Sequence, residues 1–163
     1  MPDFFAPCPR GLETPLSIEL AVLGAEGIKA TDGGVHFSGP GALSYRVNLH
    51  SRLASRVLWR VAKARYSTEQ HIYDTAYALP WDEWFDVSRT IRVTMTGIKC
   101  PLKSLDFATL KIKDAVCDKF RALSGERPSV NTHEPDIRIH AFLEESWMTL
   151  YLDTSGDALF KRG

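Results

Sequence analysis

The chain has 163 residues, 44% of them hydrophobic and 25% charged, with 20 basic and 20 acidic side chains and a formal net charge of zero. That is the size of one ordinary domain or of two small ones sharing a core, with the composition of a globular protein. A zero balance removes bulk charge as an argument for a nucleic-acid partner and leaves only local distribution to carry one. Cys8, Cys100 and Cys117 are odd in number and far apart, with no C-x-x-C pair. This argues against a disulfide framework or a zinc site and predicts small buried thiols in a reducing cytoplasm. Met1–Arg10 lacks the basic stretch and apolar run of a signal peptide, and no uncharged apolar run approaches the ~18 residues that cross a bilayer. A soluble, cytoplasmic protein with no membrane partner is expected.

Phe4–Cys8 reads as a short strand ended by Pro9-Arg10-Gly11. Leu12, Leu16, Leu20 and Leu23 form a helical stripe over 12–23, with Thr14 as N-cap and Pro15 in the first helical position. Ile28–Thr31 and Val35–Phe37 are strands joined through the hairpin signal Asp32-Gly33-Gly34. Gly39-Pro40-Gly41 breaks the chain before a second helix over 42–53. Arg56–Ala62 reads as a strand, with Val57, Trp59 and Val61 on one face and Arg56, Leu58 and Arg60 on the other. The order β-α-β-β-α-β is the ferredoxin-like pattern, closing near Arg65.

Thr68–Leu79 reads as helix, and Pro80–Phe85 as an aromatic-rich turn or short helix. Ile91–Ile98 alternates as a strand. Ser104 opens the strongest helix, with Leu105, Ala108, Ile112, Val116, Phe120 and Leu123 on one face. Phe107, Leu110 and Cys117 form a smaller apolar strip roughly opposite, so this helix is expected to lie between two layers. Gly125 and Pro128 stop it. Asp136–Leu143 and Met148–Leu152 follow as strands linked through 144–147, and Asp153–Gly156 forms a turn. The fold class is α+β: a ferredoxin-like unit followed by a mixed sheet with one long helix.

Charge is sorted along the chain. From Gly33 to Thr68 there is no acid, yet the stretch holds Arg46, Arg52, Arg56, Arg60, Lys63 and Arg65. Lys99–Arg127 also leans basic, while acids gather in Asp82–Asp86 and Glu134–Glu145. Two readings are open. The arginines are solvated and pair with acids that folding brings close, or they form a phosphate-binding surface suited to bidentate guanidinium contact.

Motifs for chemistry are missing from the sequence. There is no G-x-G-x-x-G and no G-x-x-x-x-G-K-[ST] loop to cradle phosphate. His133-Glu134-Pro135-Asp136 lacks the second histidine one helical turn on, and Pro135 opposes that helix. No nucleophile elbow appears, and Thr154-Ser155-Gly156-Asp157 reads as a turn.

Several strings then resemble one family. Asn-Leu-His-Ser-Arg-Leu-Ala-Ser-Arg-Val-Leu at 48–58 resembles the ferredoxin-like subdomain of bacterial large-subunit ribosomal RNA methyltransferases. Ser-Leu-Asp-Phe-Ala-Thr-Leu-Lys-Ile-Lys-Asp-Ala-Val-Cys-Asp at 104–118 is similar to the long helix of a THUMP domain in those enzymes. Arg127–Val130, Pro135-Asp136 and Leu152–Gly163 continue the pattern in order. The resemblance implies a ferredoxin-like subdomain over 1–65 and a THUMP RNA-binding domain over 66–163. Its implied parent is a S-adenosylmethionine (SAM)-dependent guanine-N2 methyltransferase of 23S ribosomal RNA, with a C-terminal SAM-binding catalytic domain beyond residue 163. The N-P-P-[YFW] catalytic loop of that domain is absent here. This segment is thus expected to be non-catalytic, without a cofactor of its own, docking structured RNA by shape and backbone for the catalytic domain.

RNA contacts are expected from Arg52, Arg56 and Arg60 in the first half and from Lys103, Lys111, Lys113 and Arg127 in the second. Lys161 and Arg162 are further candidates near the end of the chain. Lys119 sits beside the apolar face as a snorkelling stem. Trp59, Trp81, Trp84 and Trp147 are either core or base-stacking platforms, and Phe107, Leu110 and Cys117 either an inter-domain or an RNA contact. Rival functions are a transfer-RNA-binding THUMP module, a protein-interaction module with solvated basic faces, and a small free-standing enzyme, for which no motif speaks.

Overall fold

The computed structural model describes residues 1–155, which divide into two compact units: Met1–Arg60 with Asp153–Ser155, and Val61–Leu152. The first holds β1 (Asp3–Pro7), α1 (Glu13–Val22), β2 (Glu26–Thr31), β3 (Gly34–Ser38), α2 (Gly41–His50) and the start of β4 (Leu58–Arg65). β1 lies antiparallel between β3 and β4, and β2 pairs antiparallel with the far edge of β3. Each helix therefore joins two strands that have a third between them, the split crossover of the ferredoxin-like sheet. Pleating sends Phe4, Ala6, Val35 and Phe37 to one face, where Leu16 and Leu20 of α1 and Leu43 and Val47 of α2 bury them. The Phe4 and Phe37 rings stack there with centroids 5.4 Å apart.

Element ends depart from expectation where tertiary partners intervene. Thr14 is not the cap: α1 begins at Glu13, Leu12 occupies the cap position, and no side chain caps it. Glu13 instead accepts the Gly11 N–H at 2.7 Å and the Gly33 N–H at 2.9 Å. Pro15 falls within the first turn, where a missing N–H goes unneeded. α2 stops at His50 rather than Leu53, because Ser51 donates its hydroxyl to Glu19 of α1. Glu19 also accepts the Arg52 N–H at 3.2 Å. β4 starts at Leu58 rather than Arg56, and the Val57 carbonyl accepts both the N–H and the hydroxyl of Thr154 at 2.9 Å. At Gly34 a β-carbon would run into the Phe5 ring and come within 2.8 Å of the Ala6 carbonyl oxygen, so only glycine fits beneath that ring.

The second unit contains the rest of β4, α3 (Glu69–Tyr77), α4 (Trp81–Trp84), β5 (Ile91–Gly97), α5 (Leu105–Ser124), β6 (Ile137–Leu143) and β7 (Trp147–Asp153). Its strand order is β4-β7-β6-β5, with β5 and β6 parallel and β6 and β7 antiparallel, a mixed sheet. A parallel pair needs a long crossover, which α5 supplies. The Ser104 hydroxyl accepts the Phe107 N–H at 3.1 Å, and Gly125 closes the helix at φ 78°. Thr68 caps α3 in the same way, accepting the His71 N–H at 3.3 Å.

α5 buries Ala108, Ile112, Ala115, Val116, Cys117 and Phe120 and packs against both β5 and α3. Contrary to expectation, the strip opposite its core meets no second layer among the described residues. Phe107 and Leu110 of that strip stay 46% and 52% exposed, while Cys117 joins the core. Leu105 and Leu123, at the ends of the stripe, are exposed as well. Trp81 is fully buried and donates its indole N–H to the Ala76 carbonyl at 2.6 Å. Phe85 packs on Phe120 at 5.2 Å, so this aromatic run is core.

Two substitutions check these arrangements. Gly34→Ala should destabilise the chain by about 1–3 kcal/mol, the usual cost of overpacking, read from urea unfolding. The Gly33 N–H first, then the Gly11 N–H, hold the Glu13 carboxyl below its ordinary value of 4.5. A depressed folded pKa contributes stability that is complete above pH 4.5 and lost as pH falls through the folded value. Unfolding midpoints of Glu13→Gln should therefore be lower at neutral pH and fall less on acidification; parallel acid limbs would refute this assignment.

Candidate nucleic-acid interface

The arginines singled out in the first unit meet acids remote in sequence. The register that pairs Phe4 with Trp59 sets Arg60 beside Asp3, and the two side chains lie 2.8 Å apart. Arg56 lies 3.6 Å from Asp153. Arg52 is exposed and placed by its backbone bond to Glu19. The Arg60–Asp3 pair, partly exposed on both sides, is of the kind worth about 0–1 kcal/mol, whereas the Asp153 side chain of the other pair is buried.

On α5 the expected lysines do not converge. Lys111 and Lys113 are two residues apart and so point about 160° apart round the helix. Lys111 lies 5.3 Å from the Phe107 ring and 6.0 Å from the Tyr73 ring. Lys113 pairs with Asp114 at 2.9 Å. Burial pushes the Cys117 thiol pKa up, and the charges of Lys113 and Arg127 oppose that rise. Lys103 is exposed ahead of the Ser104 cap. Lys119 stands over the Tyr77 ring at 5.1 Å with its stem half-buried, a snorkelling geometry. Tyr73 donates to Asp118 at 2.6 Å, and that bond is the main reason its pKa is pushed up to about 12. Acids thus alternate with lysines along this helix. Lys161 and Arg162 lie outside the described residues.

The second unit's sheet concentrates charge differently. Ile137, Ile139, Ala141 and Leu143 of β6 are buried, so Arg138, His140 and Phe142 face the other way. In register, Arg92, Thr94 and Thr96 of β5 join that opposite face, as do Thr149 and Tyr151 of β7. Trp147 completes it, with the Lys63 amine 5.3 Å and the Arg65 guanidinium 4.6 Å from its ring. The four strand segments, 61–65, 91–97, 137–143 and 147–152, contain no Asp or Glu. Their four charged side chains, Lys63, Arg65, Arg92 and Arg138, lie on this one face.

Its members are held in place. The His140 ring is fixed by the Thr94 hydroxyl at 2.8 Å and the Thr96 hydroxyl at 3.4 Å. Arg92 donates to the Thr132 carbonyl at 3.1 Å. Buried Tyr66 steadies the hairpin that carries Trp147: its hydroxyl donates to the Glu144 carbonyl and its N–H to the Ser146 carbonyl at 3.1 Å. Burial, and then the Cys100 thiol 3.3 Å away, raise the pKa of that phenol, which keeps it a donor. Acids lie at the margins. Asp136 is occupied by the N–H of Thr90 at 2.9 Å, Asp153 ends β7 and pairs with Arg56, and Glu144 and Glu145 sit in the hairpin.

Of the four tryptophans, Trp81 is core, Trp59 packs against the first unit's core, and Trp84 stands edge-on to Trp81 at 5.3 Å. Trp147 carries two cations over its ring. Arg92 and Arg138 escaped the sequence reading, although strand alternation combined with an acid-free composition marks both.

Comparison with known proteins agrees with this architecture. The model of the RlmL ferredoxin-like domain matches residues 3–58, and the THUMP domain model matches residues 66–153. The chain belongs to the THUMP family. Ribosomal RNA large subunit methyltransferase K/L of Aeromonas hydrophila is 41% identical over 162 residues, 99% of this chain. The THUMP chain spans only 23% of that relative's length. SMU.472, a structure solved in complex with SAH, superposes with a TM-score of 0.81 at 22% identity, over 93% of this chain and 41% of its own. A 4-thiouridine synthetase–RNA complex with bound ATP gives 0.59 at 12% identity, over 98% and 43%. At those identities the two structures speak for the fold alone.

Among the described residues no three His, Cys, Asp or Glu side chains gather as a metal site, and no helix is long and apolar enough to cross a membrane. Burial raises the thiol pKa of Cys8 and Cys117, while Cys100 is half-buried. A thiol reagent at pH 8 should therefore label Cys100 first and the other two only on unfolding. Mass-spectrometric mapping of the label checks this, and early modification of Cys117 would contradict it.

Proposed function

We propose that this chain is the RNA-docking part of a SAM-dependent methyltransferase acting on the guanine-N2 position of large-subunit ribosomal RNA. On this reading residues 1–65 and 66–163 are its ferredoxin-like and THUMP domains, and the enzyme works in the cytoplasm. The observation that carries it is the sheet face of the THUMP unit, where segments 61–65, 91–97, 137–143 and 147–152 contain no acid and place Arg92 beside Arg138 at one end and Lys63 and Arg65 over the Trp147 ring at the other, in a chain of zero net charge. The 41% identity to a ribosomal RNA large subunit methyltransferase supports ribosomal RNA as the substrate class. The RNA in the 4-thiouridine synthetase complex supports RNA as the ligand of this architecture.

The residues present do not suit SAM. The sequence has no glycine-rich loop between strand and helix, and its cationic face is built for phosphate rather than for an adenosyl group. Cofactor binding and methyl transfer are therefore assigned to a C-terminal methyltransferase domain of the same polypeptide. The work of this chain is to hold RNA through its backbone and shape while that partner acts.

Fluorescence anisotropy with a 23S ribosomal RNA hairpin and an intact transfer RNA tests the reading. Binding should be weak and should fall with salt, by a log–log slope of about 0.7–0.9 per phosphate neutralised. Preference for transfer RNA would move the assignment to a transfer-RNA-modifying enzyme. No salt-sensitive binding to either RNA would reject RNA docking.

A further inference from the structure

We infer that the corner formed by Trp147, Arg65 and Lys63 is a binding site for an unpaired nucleotide, whose base stacks on the indole–guanidinium pair and whose phosphate meets Lys63. This rests on the RNA-docking reading and deepens it, since phosphate contact alone would not distinguish paired from unpaired RNA.

Three features carry the inference. The first is chemical pairing: a guanidinium 4.6 Å and an amine 5.3 Å from one indole combine a π surface with two cations. Aromatic platforms flanked by cations are what single-stranded nucleic acid requires, because every base has a stackable face and every nucleotide a phosphate. The second is accessibility. Lys63 and Arg65 are exposed and Trp147 is half-buried, in contrast to the enclosed Trp81. The third is rigidity. Tyr66 ties both Glu144 and Ser146 of the hairpin, and the Glu144 N–H bonds the Trp147 carbonyl at 2.8 Å. A ring already fixed in place loses little entropy when a base stacks on it.

The other aromatic–cation contacts are less suited. Around Lys111 and Lys119 the rings of Tyr73 and Tyr77 stack on each other at 5.9 Å, and Asp118 stands among them, bonded to Tyr73. A phosphate there would meet a carboxylate. At the Trp147 corner β4 supplies none; Asp153 lies at the far end of β7, and the nearest acids, Glu144 and Glu145, are exposed in the hairpin. A negatively charged peptide could exploit the cations equally but would gain less from the indole face, and the RNA comparison below separates the two.

The test uses two labelled RNAs, a blunt hairpin and the same hairpin with an unpaired 3′ tail of a few nucleotides. The unsubstituted chain should bind the tailed RNA more tightly, by roughly 5- to 150-fold, the range of one stacked base. Trp147→Leu should bring the tailed RNA down to the affinity of the blunt hairpin, Trp147→Phe should keep much of the increment, and Arg65→Gln should weaken binding of both RNAs. A tail carrying 4-thiouridine, photo-crosslinked to the unsubstituted chain, should map to the peptide containing Trp147, a readout independent of how any variant folds. Equal affinity for tailed and blunt RNA, an increment that survives Trp147→Leu, or crosslinks confined to α5 would overturn this site and leave RNA docking standing. Absence of salt-sensitive binding to both RNAs would remove the docking reading together with the site.

Discussion

The pleat of one strand governs the second unit. Along β6, Ile137, Ile139, Ala141 and Leu143 must turn toward the side where α5 is packed, and period-two alternation then forces Arg138, His140 and Phe142 to the opposite side. The parallel register with β5 and the antiparallel register with β7 pass the same division to their neighbours, so Arg92 and Trp147 share the face of Arg138. Core and cationic face are therefore two outcomes of one constraint. A register slip of β6 by a single residue would turn Arg138 and His140 into the core and Ile137, Ile139, Ala141 and Leu143 out of it, so this pairing is strongly specified.

The acids explain how a neutral chain presents such a face. Many are used as backbone or hydroxyl acceptors: Glu13 for Gly11 and Gly33, Glu19 for Ser51 and Arg52, Asp86 for Ser88, Asp136 for Thr90, Asp118 for Tyr73. A carboxylate in that role gains short, charge-assisted bonds and lies near turns and helix ends rather than on open sheet. Of the strand cations, Arg92 donates to the Thr132 carbonyl, and Lys63 and Arg65 stand over the Trp147 ring. Zero net charge thus conceals a separation by role, with acids shaping turns and bases facing outward.

Local signals in the sequence proved reliable where local physics decides. Ser104, Thr68 and Gly125 mark helix ends because a capping hydroxyl or a left-handed residue acts within three or four positions. The end of α2 and the start of β4 were not legible, since Glu19 and Thr154 act across the fold, 32 and 97 residues away. The site divides in the same way. Trp147 was visible as one of two alternatives, but its cations come from a strand some 80 residues earlier, and nothing local links them. Lys111 and Lys113 looked like a pair because they are close in sequence, yet helical rotation parts them. Arg56 and Arg60 were recognised as a cluster, and folding supplied Asp153 and Asp3 as their partners.

A low net charge also shapes how such a surface can act. Long-range steering grows with the summed field, and a chain with balanced charge generates little beyond the Debye length of about 8 Å at physiological salt. Encounter is then unselective, and discrimination falls to contacts made after touching: a guanidinium already oriented on an indole, a histidine clamped between two threonines, a hairpin tied by a buried tyrosine. Preorganised groups of this kind improve binding by reducing the entropy lost on contact rather than by adding charge. Modest attraction at a distance combined with fixed geometry at contact gives a surface that releases a ligand readily and still discriminates between ligands.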